Sequence, residues 1–117
     1  MKLLKITADE TSDFPTLGSY FQALALMDLG ESERADSILA DLEETAQALL
    51  EGESEAYRWE SPELQKALGL YYMSLLEEHS GDGPQAQAHR EQASALEPTI
   101  ERQAIIVAQR VYARAHQ

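Results

Sequence analysis

The chain has 117 residues, of which 44% are hydrophobic, and a formal charge of −12; this suits one globular domain and excludes a disordered chain. Lysine and arginine are too sparse for a phosphate-binding surface, and no apolar run approaches the roughly 18 to 20 residues of a membrane span, so neither nucleic acid nor membrane is an expected partner. Cysteine is absent, which removes disulfides and thiolate metal sites and fits a reducing, cytoplasmic setting.

The opening residues, MKLLKITADETSDF, do not read as a secretory signal, because acids follow a very short apolar segment. MKLLKI reads instead as the last turns of a helix, which points to a chain cut from something longer and to an apolar edge at Leu3, Leu4 and Ile6. Asp9, Glu10 and Asp13 read as a solvated acid cluster. The first full helix is predicted over 15–29, with Pro15 at its first position, Tyr20, Ala23, Leu24 and Met27 as its stripe, Phe21 and Leu26 widening it, and Gly30 just beyond. The second runs over 32–51, with Ser32 as N-cap and Ala35, Ile38, Leu39, Leu42, Ala46, Leu49 and Leu50 on one face.

The segment EGESEAYRWES breaks the period and reads as a loop. Its Tyr57, Arg58 and Trp59 form an aromatic–arginine group, and the indole is expected to fold back over the end of the core, the alternative being a binding hot spot. Ser61-Pro62-Glu63 starts a third helix over 62–79, carrying Leu64, Ala67, Leu68, Tyr71, Tyr72, Leu75 and Leu76. Gly81 and Gly83 end it, and Pro84 opens a fourth helix whose inner face is Ala86, Ala93 and Leu96. Glu97-Pro98 stops that helix. Thr99 is placed to cap a fifth, with Ile100, Ala104, Ile105, Ala108, Val111, Tyr112 and Ala115 apolar. Residues 98–117 carry a local charge of +2, which leaves −14 on the first 97.

Two helical hairpins overlay, Thr16 to Leu50 and Pro62 to Pro98. In the second, Leu68-Gly69 followed by Tyr72, then Ala86, Ala93 and Pro98, resembles the tetratricopeptide (TPR) repeat, a helix-turn-helix of about 34 residues. In the first, Ala23, Gly30 and Ala35 take the small-residue and turn positions. The long second helix and irregular linker are similar to divergent TPR tails of large bacterial proteins. The first hairpin lacks the closing proline, and the turn glycine of the second comes about five residues late. The expected architecture is all-α: antiparallel hairpins, about two TPR-like repeats plus a C-terminal capping helix, five helices in total. Residues 1–15 are an N-terminal extension, 16–98 the two hairpins and 99–117 the cap.

The resemblance implies a partner-binding face on the first helix of each hairpin: Leu17, Tyr20, Leu24, Met27 and Asp28, then Glu63, Lys66, Leu70, Met73 and Ser74. Packing of those residues against another helix, such as 98–117, is the competing expectation. Members that clamp a terminal carboxylate use several basic and asparagine side chains there, and this chain offers only Lys66. The implied function is a non-catalytic scaffold for a protein or peptide, or for self-association as a homo-oligomer, with no cofactor. The alternative is an acidic metal-binding or hydrolytic bundle built on Glu77, Glu78, His79, Asp82 and His89. Consecutive residues project about 100° apart on a helix, so Glu77, Glu78 and His79 do not converge on one ion. No phosphate loop, nucleophile elbow or cysteine nucleophile occurs, and no enzyme activity is expected.

Overall fold

A computed structural model describes residues 15–115. The expected extension, with Leu3, Leu4, Ile6, Asp9, Glu10 and Asp13, lies outside the described residues. The described residues form five α-helices, α1 Leu17–Asp28, α2 Ser32–Glu51, α3 Pro62–His79, α4 Gly83–Leu96 and α5 Ile100–Ala115, with a 3₁₀ turn at Glu55–Tyr57 before α3. The architecture is all-α and built of helical hairpins, as expected, and no strand occurs among the described residues.

Local chemistry sets the helix ends. Thr16 caps α1: its hydroxyl accepts from the Gly18 N–H at 3.1 Å, and its own N–H donates to the Ser19 hydroxyl at 3.0 Å. Pro15 therefore precedes the cap and is not the first helical residue. Glu31, not Ser32, stands at the cap of α2; its carboxylate makes no capping bond and accepts instead from Arg34 at 3.4 Å. Ser61 caps α3 through Leu64 N–H, with Pro62 in the first turn. Helices α1, α2 and α3 all close with a left-handed glycine (Gly30, Gly52, Gly81), after which the next N–H reaches five residues back at 2.8 Å. Gly83 does not end α3; it opens α4 behind Asp82, whose carboxylate accepts from Gln85 N–H.

Helices α1 to α4 each pack on the next in sequence. α5 does not prolong that row beyond α4; it lies back over α1 and α3 and closes the assembly from that side. One core cluster joins Leu17, Tyr20 and Leu26 of α1, Ile38, Leu42 and Leu49 of α2, Leu68, Tyr71 and Tyr72 of α3, and Ile100, Val107 and Val111 of α5. On α5 the buried stripe is Ile100, Ala104, Val107 and Val111, so Ile105 and Tyr112, expected inside, stand exposed on the far side. α4 contributes only Ala86 and Ala93, and Leu96, expected with them, is exposed. The outer side of α2 presents Glu33, Asp36, Glu43, Glu44 and Glu51 to solvent.

Two contacts fix the helix positions. Gly69 lies where α3 meets α2, and a Cβ there would stand 2.9 Å from the Ala46 carbonyl oxygen and 3.0 Å from Leu50 Cγ. Bare backbone at Gly69 lets the helices approach this closely. The second contact is a chain of buried hydroxyls. Tyr57 donates to the Pro15 carbonyl at 2.6 Å, and its oxygen lies 2.9 Å from that of Tyr72, which in turn accepts from the Leu17 N–H. Since Tyr57's proton goes to Pro15, Tyr72 donates to Tyr57, and each group is satisfied in one direction.

Tyr57, not Trp59, thus covers the end of the core. The 3₁₀ turn sends Tyr57 inward with no exposure, while Trp59, two residues on, stays 66% exposed beneath the Arg58 guanidinium, 5.0 Å from the ring centre.

Replacing Gly69 with leucine should destabilise the fold by about 1–3 kcal/mol through overpacking. Gly69→Ala should cost less, because a gain of up to about 1 kcal/mol in helix propensity offsets part of the clash. Urea melts of both variants check the order; a Gly69→Leu chain that melts like the parent would remove the close contact. Tyr57→Phe leaves the Pro15 carbonyl and the Tyr72 proton without their partner and should cost about 1–3 kcal/mol, against near-neutrality for Trp59→Ala. Equal melting of those two variants would contradict this assignment.

Candidate functional site

The residues expected to line a partner face fall into three groups. Leu17, Tyr20, Leu70 and Ser74 are buried. Leu24, Met27 and Met73 are half-buried against the core, and Asp28, Glu63 and Lys66 are exposed. α5 packs on both α1 and α3. The centre of this set is therefore buried within the fold, while Asp28, Glu63 and Lys66 stand in solvent.

The ends of α5 are tied differently. Near its C-terminal end Arg110 donates to the Glu60 carboxylate at 3.0 Å, fifty residues away in sequence. The Glu60 side chain is only 6% exposed while Arg110 is about half exposed, so this pair sits at the margin of the covered face. Near its N-terminal end Glu101 acts electrostatically on Tyr71 and Arg90, in a group that also holds Tyr20 and Glu78. Arg90 donates to Glu78 at 2.8 Å, and this hydrogen bond is the main cause that pushes the guanidinium's pKa up. Its Nε is buried without a hydrogen-bond partner. None of Glu60, Arg90 and Arg110 is singled out by sequence spacing, because each partner lies on a different helix or in the loop.

The acid and histidine cluster resolves into hinge contacts. His89 donates from Nδ1 to Glu77 at 2.7 Å, with Nε2 3.2 Å from the Gln85 amide nitrogen; the tautomer protonated on Nδ1 satisfies both. Glu78 holds Arg90, Asp82 caps α4, and His79 is exposed on the last turn of α3. Among the described residues no three His, Cys, Asp or Glu stand where they could share a metal ion. Thr99 stands in the cap position of α5, its carbonyl accepting from the Gln103 N–H at 2.9 Å, while its hydroxyl donates to Glu97 at 2.6 Å; this bond and the Thr99 N–H lower the exposed Glu97 carboxyl's pKa.

No described helix is long and apolar enough to cross a membrane. No family model matches the chain, and comparison with curated proteins and with solved structures returned no match.

Burial raises the pKa of Tyr20, Tyr71 and Tyr72; for Tyr72, the bond from the Leu17 N–H opposes the shift without reversing it. An unfolded tyrosine ionises near pH ~10, so above that pH the unfolded state binds fewer protons than the folded one and stability falls. The contribution is complete below about pH 10 and declines by up to about 1.4 kcal/mol per pH unit for each tyrosine kept protonated. Urea melts at a series of alkaline pH values should show this slope, and Tyr72→Phe should make it shallower. A pH-independent midpoint across that range would contradict buried, protonated tyrosines.

Proposed function

We propose that the protein is a non-catalytic, TPR-like scaffold that binds a protein or peptide helix, and that its binding face is the one formed by α1 and α3. The observation that carries this reading is that the face already accommodates a helix: α5 lies across it with its apolar stripe inward. The core positions behind the resemblance behave consistently. Leu68 and Tyr72 are fully buried, Gly69 meets the backbone of α2, and Ala23, Ala35 and Ala93 have no exposure. Asp28, Glu63 and Lys66 on these two helices are exposed. Their charges are mixed in sign, which suits a protein partner better than a polyanion. We place the protein in the cytoplasm on its lack of cysteine, and its origin in a larger bacterial protein on the likeness of its long, irregular hairpins to divergent TPR tails.

A photo-reactive amino acid at Lys66 should yield a discrete cross-linked protein product in cell extract, and the same group at Glu43, on the outer side of α2, should not. Equal products from both positions, or none from Lys66, would count against the face. Titration calorimetry with zinc, manganese and nickel should give no saturable heat, since Glu77, Glu78 and Asp82 are engaged by His89, Arg90 and Gln85. A stoichiometric heat with any of these ions would revive the metal-binding alternative.

A further inference from the structure

α5 is held unlike the other helices. It turns away from α4, its neighbour in sequence, and rests on α1 and α3. Where α4 and α5 part, the surface has a hollow of about 420 Å³ lined by Arg90, Ser94, Pro98, Ile100 and Arg102. The connection between α4 and α5 is Glu97, Pro98 and Thr99 alone; Glu97 is extended (φ −144°, ψ 99°), and Pro98 and Thr99 are exposed. The inward stripe is Ile100, Ala104, Val107 and Val111, small to medium apolar side chains buried in the shared core. Towards the far end of α5, the half-exposed Arg110 donates to the largely buried Glu60.

The contacts that seat α5 run to α1, α3 and Glu60, all of them distant from the connection in sequence. The same seat is therefore open to the α5 of another copy, with the connection straightened instead of folded back. We propose that α5 is an exchangeable occupant of the α1/α3 face, and that its competitor is the α5 of a second copy of this chain, giving a swapped dimer. This rests on the reading of that face as a helix receptor. The swapped and closed forms share every α5 contact and differ at the connection and in the entropy of association, so concentration sets their balance. Shortening the connection removes the closed form, because α5 can no longer double back over its own α3.

Two measurements test the exchange. A chain lacking Pro98 and Thr99 should run as a dimer by light scattering at about 100 µM with the parent's helicity; a folded monomer would overturn the proposal. Independently, a fluorescent peptide of residues 98–115 is titrated into the full chain and into full-length Val107→Ala, whose own α5 is seated less firmly. The expected result is saturable one-to-one binding, at least about tenfold tighter for Val107→Ala. Equal affinity for the two chains, or no saturable binding to either, would overturn it. Exchange with no foreign product cross-linked from Lys66 leaves the swap standing and removes the wider scaffold reading, while the opposite pair of results removes the swap alone.

Discussion

The relay of hydroxyls from Leu17 through Tyr72 and Tyr57 to Pro15 sets the geometry on which the rest depends. It ties the entry of α1 to the middle of α3 through a loop residue, across forty-two positions of sequence. α1 and α3 do not need a broad seam with each other, because α2 spaces them on one side and this relay sets their ends. Buried hydroxyls without partners would each cost more than a typical hydrogen bond contributes, so the relay tolerates few arrangements. That intolerance fixes the width of the surface over which α5 lies.

α2 and α3 meet under a different constraint. There the limit is steric, set by the missing side chain at Gly69, and the energy comes from apolar area in Leu42, Leu49 and Leu68. The α3–α4 junction uses small residues again, but Ala86 and Ala93 bury little each, and the His89–Glu77 and Arg90–Glu78 pairs reach across from α4 to the end of α3. Partly exposed pairs of this kind contribute at most about 1 kcal/mol each, so they hold orientation more than they add stability. The crowding of acids and histidines around the α3–α4 turn has its physical origin here: a helix too poor in apolar area to align itself is guided by its polar edge.

Helix existence is legible in the sequence because each helix carries its own stripe and punctuation, as Ser61-Pro62 does at the start of α3 and Gly30 beyond the end of α1. Boundaries set by competition between adjacent candidates were less legible, as with Pro15 against Thr16 and Ser32 against Glu31. The larger difference is α5. Its sequence holds two apolar stripes, one with Val107 and one with Ile105 and Tyr112, and only the position of α1 and α3 decides which is buried. Tyr57 was invisible for a related reason, since a three-residue 3₁₀ turn has no period to read. For the candidate face, the sequence left a partner groove and packing against residues 98–117 as alternatives, because no local pattern encodes where a helix folds back.

The exposed acids along α2 have a further consequence, at distances beyond any contact. With −14 on residues 1–97 and +2 on the remainder, the molecule is electrically lopsided. The acids on α2 lie on a helix that α5 does not cover, whereas α5 itself presents arginines. A body with that asymmetry turns in the field of an approaching charged surface within about a Debye length, near 8 Å at physiological salt. Anionic surfaces are repelled from the α2 side and meet the molecule at α5, so the order of encounter is sorted by orientation before any side chain is touched.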